Sequence, residues 1–154
     1  MFLENQYQIA YVTPDLDQAV TLLKERLGVT GFKGLSSAGP VVENTVTTPD
    51  GEVSIGMRVV IAIMGNLTLE VMQPVSGATG IFDEMIVPGQ MLRLHHLGMR
   101  CDDLEAMRAA HERAGRKVVM EGSYGAASFI YVDARETMGH FLEYACAPAS
   151  YWDR

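Results

Sequence analysis

The sequence is poor in cysteine and in positive charge, and each shortage argues against a class of protein. Its two cysteines, Cys101 and Cys146, do not form a Cys-x-x-Cys pair. A disulfide framework and a thiolate zinc site are therefore not expected, and we interpret both residues as buried thiols. The 12 Lys and Arg residues face 19 Asp and Glu residues, for a net charge of −7. This balance argues against nucleic-acid binding and against an anionic membrane, since both need a positive surface.

Long apolar runs are also missing. None approaches the roughly 20 residues that span a bilayer, and the start, MFLENQYQIAYVTPD, has acidic residues too early for a secretory signal. We therefore expect a cytoplasmic protein without a membrane partner. The chain of 154 residues, 48% of them apolar, has the size of one domain with a packed core.

The most informative feature of the sequence is an internal repeat. Placing His96 over Gln8 aligns QIAYVTPDLDQAV with HLGMRCDDLEAMR, so each copy has a short apolar strand, an Asp-rich helix start and a helical pattern. Each copy then runs to a similar ending, LTLEV at 67–71 and FLEYA at 141–145. The repeat predicts one α+β domain over 1–154. It consists of two paired βαβββ modules, at about 5–74 and 92–146, which are joined by a linker at 75–91 and form one open-barrel cleft.

Within each module the apolar periodicity and the turn residues predict the individual elements. Residues 31–40 read as a loop, with or without a short strand around Phe32. In the first module we predict strands at 7–13, 41–48, 52–64 and 67–72 and a helix from Asp15 to Gly28, followed by a Gly- and Pro-containing linker with one helical turn at 81–87. In the second we predict a strand around His95, a helix from Asp102 to Ala114, and strands at 117–121, 128–133 and 140–145.

Four polar residues occupy matching places in the two modules: Gln8, Glu70, His96 and Glu143. Two carboxylates balance the charge of a divalent ion, the Gln8 amide adds a neutral oxygen and the His96 imidazole adds a nitrogen. Four such ligands leave two octahedral positions for water or for two substrate oxygens. The set therefore predicts an open metal site able to act as a Lewis acid.

The order and spacing of PDLD, LEVMQP, LHHLGMRCDDLE and FIYVDARETMGHFLEY resemble the vicinal oxygen chelate superfamily, also described as the glyoxalase, bleomycin-resistance and dioxygenase fold. Within it the chain looks most like the methylmalonyl-CoA epimerase-like branch. The resemblance implies paired βαβββ modules, a homodimer, a divalent ion (Zn, Ni, Co, Mn or Fe) and chemistry through a metal-stabilised enediolate or enolate. It places Gln8, Glu70, His96 and Glu143 on the four ligand positions.

The same comparison bears on the substrate. The Gln-Glu-His-Glu set resembles that of glyoxalase I, but the glutathione-binding Arg and Asn of glyoxalase I fall on Val12 and Pro74 here. Glutathione hemithioacetal is therefore not expected as the substrate. The resemblance leaves the reaction open.

Other candidate residues surround these ligands. Glu70 or Glu143 can double as the general base, provided that it lies within hydrogen-bond reach of the substrate proton. Arg100 shares the strand face of His96 and can hold a carboxylate or phosphate. We predict that Arg100, Met72 and His140 bind the substrate. Of the remaining histidines, His95 points away and reads as structural, and His111 reads as solvated surface.

Three functions compete at this point. The first is a metal-dependent isomerase, epimerase or lyase that transfers a proton on a small oxygenated substrate. The second is an iron-dependent ring-cleaving dioxygenase, although Gln8 stands where such sites need a second His. The third is a metal-free protein that binds a small molecule and confers resistance, although it would have little reason to keep four ligands.

Overall fold

The computed structural model describes residues 5–34 and 40–153. This part of the chain forms nine strands and five helices, which confirms the α+β class, and none of its helices is long and apolar enough to cross a membrane. In chain order the elements are β1 (Gln6–Val12), α1 (Leu16–Leu27), β2 (Lys33–Gly34), β3 (Val42–Thr48), β4 (Gly51–Met64), β5 (Leu67–Gly77), α2 (Gly80–Asp83), β6 (Arg93–Arg100), α3 (Leu104–Arg113), β7 (Val118–Tyr124), β8 (Ala127–Asp133), α4 (Arg135–Met138), β9 (Phe141–Cys146) and α5 (Ala149–Trp152).

The chain divides into two compact units. We call Gln8–Asn44 with Ser54–His95 the amino-terminal unit, and Met1–Tyr7, Thr45–Val53 and His96–Arg154 the carboxy-terminal unit. The predicted loop at 31–40 contains β2 beside Phe32, and its residues 35–39 lie outside the described part of the chain. The module boundaries at 5–74 and 92–146 stay a prediction.

Helix α1 of the amino-terminal unit begins and ends where the sequence predicts. The Asp15 side chain accepts a hydrogen bond from the Gln18 backbone N–H at 3.0 Å, which satisfies one of the free donors of the first turn. Gly28 ends the helix with a φ of 65°, a conformation that glycine adopts without strain. The buried face of α1 packs on strands β4 and β5 to form the core of this unit, which contains Leu16, Ala19, Leu23, Val29, Ala62, Leu69 and Val71.

Strand β5 is longer than the sequence predicts. It reaches Gly77 instead of ending at Met72, so residues 75–77 of the predicted linker at 75–91 are strand. The reason is a bulge in β5 itself: Gly56 and Met57 of the antiparallel partner β4 lie opposite Ser76 and Pro74, which leaves Val75 as the extra residue. A proline removes a backbone donor and is tolerated in a sheet mainly at edges and bulges. The prediction was wrong here because the proline was read as the end of the strand.

The carboxy-terminal unit has the predicted βαβββ order, β6-α3-β7-β8-β9. Strands β7, β8 and β9 form an antiparallel meander, and β9 runs parallel to β6. Helix α3 begins where the Asp103 side chain accepts a hydrogen bond from the Ala106 N–H at 2.9 Å, and it packs on β7, β8 and β9. The end of β3 joins this unit through the pair Thr47 and Glu121.

His111 is not solvated surface, so that prediction was wrong. Its exposed fraction is 3%, and its ring lies against the Tyr144 ring with centroids 4.7 Å apart. His111 follows Leu104 and Met107 at helical spacing, and this stripe faces the sheet. The charged residues Glu112 and Arg113 beside His111 made this part of the helix look exposed in the sequence.

Cys101 and Cys146 are free thiols, and both are half-buried. Burial, with smaller contributions from Cys146 and the acids at 102 and 103, raises the pKa of Cys101 to about 11. A thiol reacts as its thiolate, so this shift predicts an inert cysteine.

We therefore expect iodoacetamide at pH 8 to modify Cys101 about 100-fold more slowly than an unperturbed thiol, from the ratio of the two thiolate fractions. Peptide mass spectrometry over a time course measures the rate, and the chain unfolded in urea provides the unperturbed reference. Equal rates for Cys101 in the folded and the unfolded chain would contradict the shift.

Candidate functional site

The amino-terminal unit holds two of the predicted ligands on neighbouring parallel strands. In the register of β1 and β5, Gln8 lies opposite Thr68 and Ala10 lies opposite Glu70. Paired residues of a sheet point to the same side, so Gln8 and Glu70 share a face. Gln8 is buried and Glu70 is half-buried. The small Ala10 side chain beside Glu70 leaves room for the carboxylate.

The carboxy-terminal unit holds the other two ligands in the same relation. In the register of β6 and β9, His96 lies opposite Phe141 and Gly98 lies opposite Glu143. Both side chains are buried, and His96 Nε2 lies 3.6 Å from Glu143 Oε2. Gly98, without a side chain, takes the place that Ala10 has beside Glu70.

The internal repeat is thus present in strand register as well as in sequence. Gln8 pairs with Thr68, and Glu70 follows Thr68 by two residues. His96 pairs with Phe141, and Glu143 follows Phe141 by two residues. A small residue lies opposite each glutamate. The sequence alignment of His96 over Gln8 therefore identifies equivalent positions in three dimensions.

Tyr7 is part of the site and was missed by the sequence analysis. Its hydroxyl donates a 2.5 Å hydrogen bond to Glu143 Oε2, the oxygen that faces His96, and the pair is buried. The Tyr7 ring packs edge-to-face on Trp152, with centroids 4.9 Å apart. A buried carboxylate needs donors to offset the loss of water, and Tyr7 supplies one.

A repeat of aromatic packing accompanies the predicted ligands. Tyr7 and His95 each directly precede a predicted ligand in the sequence. Each also packs on a short helix that comes after the last strand of one repeat, α5 after β9 and α2 after β5. Tyr7 contacts Trp152 of α5, whereas His95 stacks on Phe82 of α2 with centroids 4.6 Å apart. His95 is fully buried, and its Nε2 lies 3.2 Å from the Ile81 carbonyl oxygen. The structural role predicted for His95 is confirmed.

The three predicted substrate-binding residues lie in defined surroundings. The Arg100 guanidinium lies 4.6 Å from the centroid of the Trp152 ring, a cation–π contact. Met72 is buried and shares the β5 face of Glu70 by alternation. His140 is buried, and its Nδ1 donates to the Phe141 carbonyl oxygen at 2.7 Å. Their contact with a substrate stays a prediction.

The donor atoms of His96 and Glu143 fit two neighbouring ligands of one divalent ion. Metal–ligand bonds of about 2.1 Å, at angles between about 90° and 110°, separate two donors by about 3.0–3.4 Å, close to the 3.6 Å observed between Nε2 and Oε2. Within residues 5–34 and 40–153, no group of three or more His, Cys, Asp or Glu residues meets the geometry of a metal site. The fit to the geometry of a metal site therefore concerns His96 and Glu143 as a pair.

If Glu143 is a metal ligand, as the sequence predicts, Tyr7→Phe is expected to weaken divalent-metal binding by about 10- to 100-fold, because an outer hydrogen bond orients a ligating carboxylate. Competition with a chromogenic chelator measures the affinity. Tyr11→Phe, which removes a hydroxyl from the same strand, serves as the matched control. Unchanged affinity in Tyr7→Phe would show that the hydrogen bond supports the fold alone.

Comparison with protein families gives a match over residues 7–132 to a family model described as the Glyoxalase/Bleomycin resistance protein/Dioxygenase superfamily. A comparison with curated protein sequences gives no match. The family model covers both predicted modules as far as β8.

Similar structures include methylmalonyl-CoA epimerases at low sequence identity. That of Mycobacterium tuberculosis has a TM-score of 0.59 at 12% identity, covering 96% of this chain and 90% of that one. A selenomethionine methylmalonyl-CoA epimerase has a TM-score of 0.55 at 21% identity, covering 93% and 94%. A variant of the Streptomyces coelicolor epimerase, in complex with 2-nitronate-propionyl-CoA, has a TM-score of 0.56 at 14% identity, covering 94% and 98%. At these identities the similarity establishes the fold.

Proposed function

The chain belongs to the Glyoxalase/Bleomycin resistance protein/Dioxygenase superfamily, and from this membership we propose that it is a divalent-metal-dependent enzyme of the glyoxalase or epimerase type. It transfers a proton on a small oxygenated substrate, as an isomerase, epimerase or lyase. The observation that carries the proposal is the buried pair of His96 and Glu143, with Tyr7 bonded to the same carboxylate oxygen that faces the imidazole.

The proposed metal ligands are Gln8, Glu70, His96 and Glu143. The repeated register supports them, because each unit presents one neutral donor and one carboxylate at equivalent positions. A Zn, Ni, Co, Mn or Fe ion suits one nitrogen and three oxygens. When bound, such an ion polarises a substrate carbonyl and so acidifies the neighbouring C–H bond.

The two carboxylates receive different roles in this proposal. The Tyr7 hydroxyl holds Glu143 beside His96 in a buried environment, so we assign Glu143 to orientation and ligation. Glu70 is half-buried next to the small Ala10 side chain. We assign Glu70 as the general base, because a base must reach the proton that it removes.

The names of the fold relatives support a proposal for the substrate class. Similar structures are named as methylmalonyl-CoA epimerases, one of them in complex with an acyl-CoA analogue. We propose a small acyl thioester or a 2-oxo or hydroxy acid, whose carbonyl the ion would polarise. Arg100, Met72 and His140 are the proposed substrate contacts.

Deuterium exchange tests the reaction type. Protein loaded with Zn, Co or Mn is incubated in D2O with methylmalonyl-CoA, and in parallel with lactate and with pyruvate, and mass spectrometry follows deuterium at the carbon beside the carbonyl. We expect incorporation that chelator removes and metal restores. Metal-loaded protein that exchanges none of these substrates would contradict proton transfer, and rapid oxygen uptake with catechols and ferrous iron would favour a dioxygenase.

We also propose a cellular compartment and an oligomeric state for the enzyme. Its two free thiols are typical of a reducing compartment, and we propose the cytoplasm. A homodimer is proposed from family membership. Light scattering across a range of protein concentrations tests the dimer.

A further inference from the structure

A cavity of about 810 Å³ lies entirely within the carboxy-terminal unit and is not used by the proposed reaction. The end of α3, the β8–β9 connection and β9 bound it. Leu142 and Tyr144 of β9 line the cavity, and they alternate with Glu143 along the strand. Because alternate residues of a strand point to opposite faces, the cavity lies on the side of the sheet away from the Glu143 carboxylate.

His111 lines this cavity and carries a buried, unused hydrogen-bond donor. Arg116 Nη1 lies 3.0 Å from His111 Nδ1, and a guanidinium can only donate, so Nδ1 accepts. Burial and the nearby Arg116 charge lower the pKa of His111, which favours the neutral ring with its proton on Nε2. Nε2 is buried and has no hydrogen-bond partner within residues 5–34 and 40–153, although buried donors are nearly always paired.

The charges around the cavity favour an anion. Arg116, Lys117 and Arg135 line it together with the acids Asp133 and Glu136. Arg135 already binds Asp133 through Nε at 2.9 Å and Nη2 at 2.7 Å. The lining therefore carries one excess positive charge in a chain whose net charge is −7. Val132, Met138 and Leu142 add apolar surface to the walls.

We propose that this cavity binds a small organic oxyanion, a carboxylate or a phosphate monoester, and that a small shift of the side chains around His111 on binding lets an oxygen of the anion accept the Nε2–H. The charges of Arg116 and Lys117 balance the anion. The apolar body of the ligand packs against Leu142 and Tyr144. A cavity of this size holds a ligand of metabolite size.

Imidazole ¹⁵N–¹H NMR tests the proposal directly, with benzoate and phenyl phosphate as probes and benzyl alcohol as the neutral analogue. We expect one of the two anions to shift the His111 Nε2 signal saturably, and the tighter of the two identifies the ligand class. Benzyl alcohol is expected to leave the signal unchanged. The proposal is overturned if neither anion shifts the signal, or if the alcohol binds as tightly as both anions.

Two variants separate recognition from structure. His111→Phe keeps the ring packed against Tyr144 but removes the donor, and we expect saturable binding to be lost while the circular dichroism spectrum and the melting temperature are retained or improved. Lys117→Ala is expected to weaken anion binding several-fold, whereas Lys24→Ala, an exposed lysine of the other unit, is expected to leave binding unchanged. Anion binding to His111→Phe is measured by fluorescence. Binding as tight as that of the native protein would overturn the role of Nε2.

Discussion

Replacing Glu70 with glutamine is expected to lower kcat for deuterium exchange by about 10²- to 10⁴-fold, the range that a positioned general base contributes. The amide has nearly the shape of the carboxylate and keeps an oxygen that can bind a metal ion. The protein should therefore fold normally and still bind metal at saturating concentration. Only the group that accepts the proton is lost.

Two further variants make this test specific. Glu25→Gln removes an exposed carboxylate of α1 in the same unit and is expected to leave turnover unchanged. Glu143→Gln is expected to weaken metal binding, because the carboxylate held by Tyr7 is then lost. Normal turnover in folded, metal-loaded Glu70→Gln would exclude Glu70 as the base and direct attention to Glu143.

Replacing Gly77 with alanine is expected to destabilise the fold by about 3 kcal/mol or more, near the upper end of single substitutions. Gly77 has a φ of 80°, and a Cβ placed there would lie 2.2 Å from the Ser54 carbonyl oxygen, a backbone atom. The substitution therefore adds a steric clash to left-handed strain of about 1–2 kcal/mol. Urea unfolding followed by circular dichroism measures the loss.

Gly65 provides the matched control for this prediction. Its φ is 65°, and apart from Gly65 and its two chain neighbours no atom of the described residues lies within 4 Å of a Cβ placed there. Gly65→Ala should cost only the strain of the left-handed conformation, about 1–2 kcal/mol. Equal losses of unfolding free energy in the two variants would show that the end of β5 relaxes and that the close approach of Gly77 to Ser54 carries no cost.

Local chemistry and the repeat explain what the sequence could predict. Asp15 and Asp103 cap their helices because a side-chain oxygen can satisfy a free backbone donor of the first turn, a signal confined to a few residues. The superfamily resemblance is confirmed by the family match over 7–132. The alignment of His96 over Gln8 also predicted the equivalent strand positions, because a duplicated segment keeps its register.

Contacts between distant residues explain what could not be predicted. Tyr7 and Glu143 are separated by 136 residues, and no local pattern relates a strand tyrosine to a carboxylate so far along the chain. The extension of β5 through Pro74 depends on its pairing with β4, whose register with β5 shifts at Val75. His111 was misplaced because its buried side is set by Tyr144, a residue of β9.

Metal content is the most direct test of the central claim, which is that His96 and the three other proposed ligands hold a divalent ion. Elemental mass spectrometry is performed on the untagged protein and on His96→Ala, with circular dichroism to establish that both are folded. The proposal predicts near-stoichiometric divalent metal in the native protein and its loss in the variant. Folded native protein that binds no metal after incubation with Zn, Ni, Co, Mn and Fe would contradict it and would favour a metal-free small-molecule binding protein.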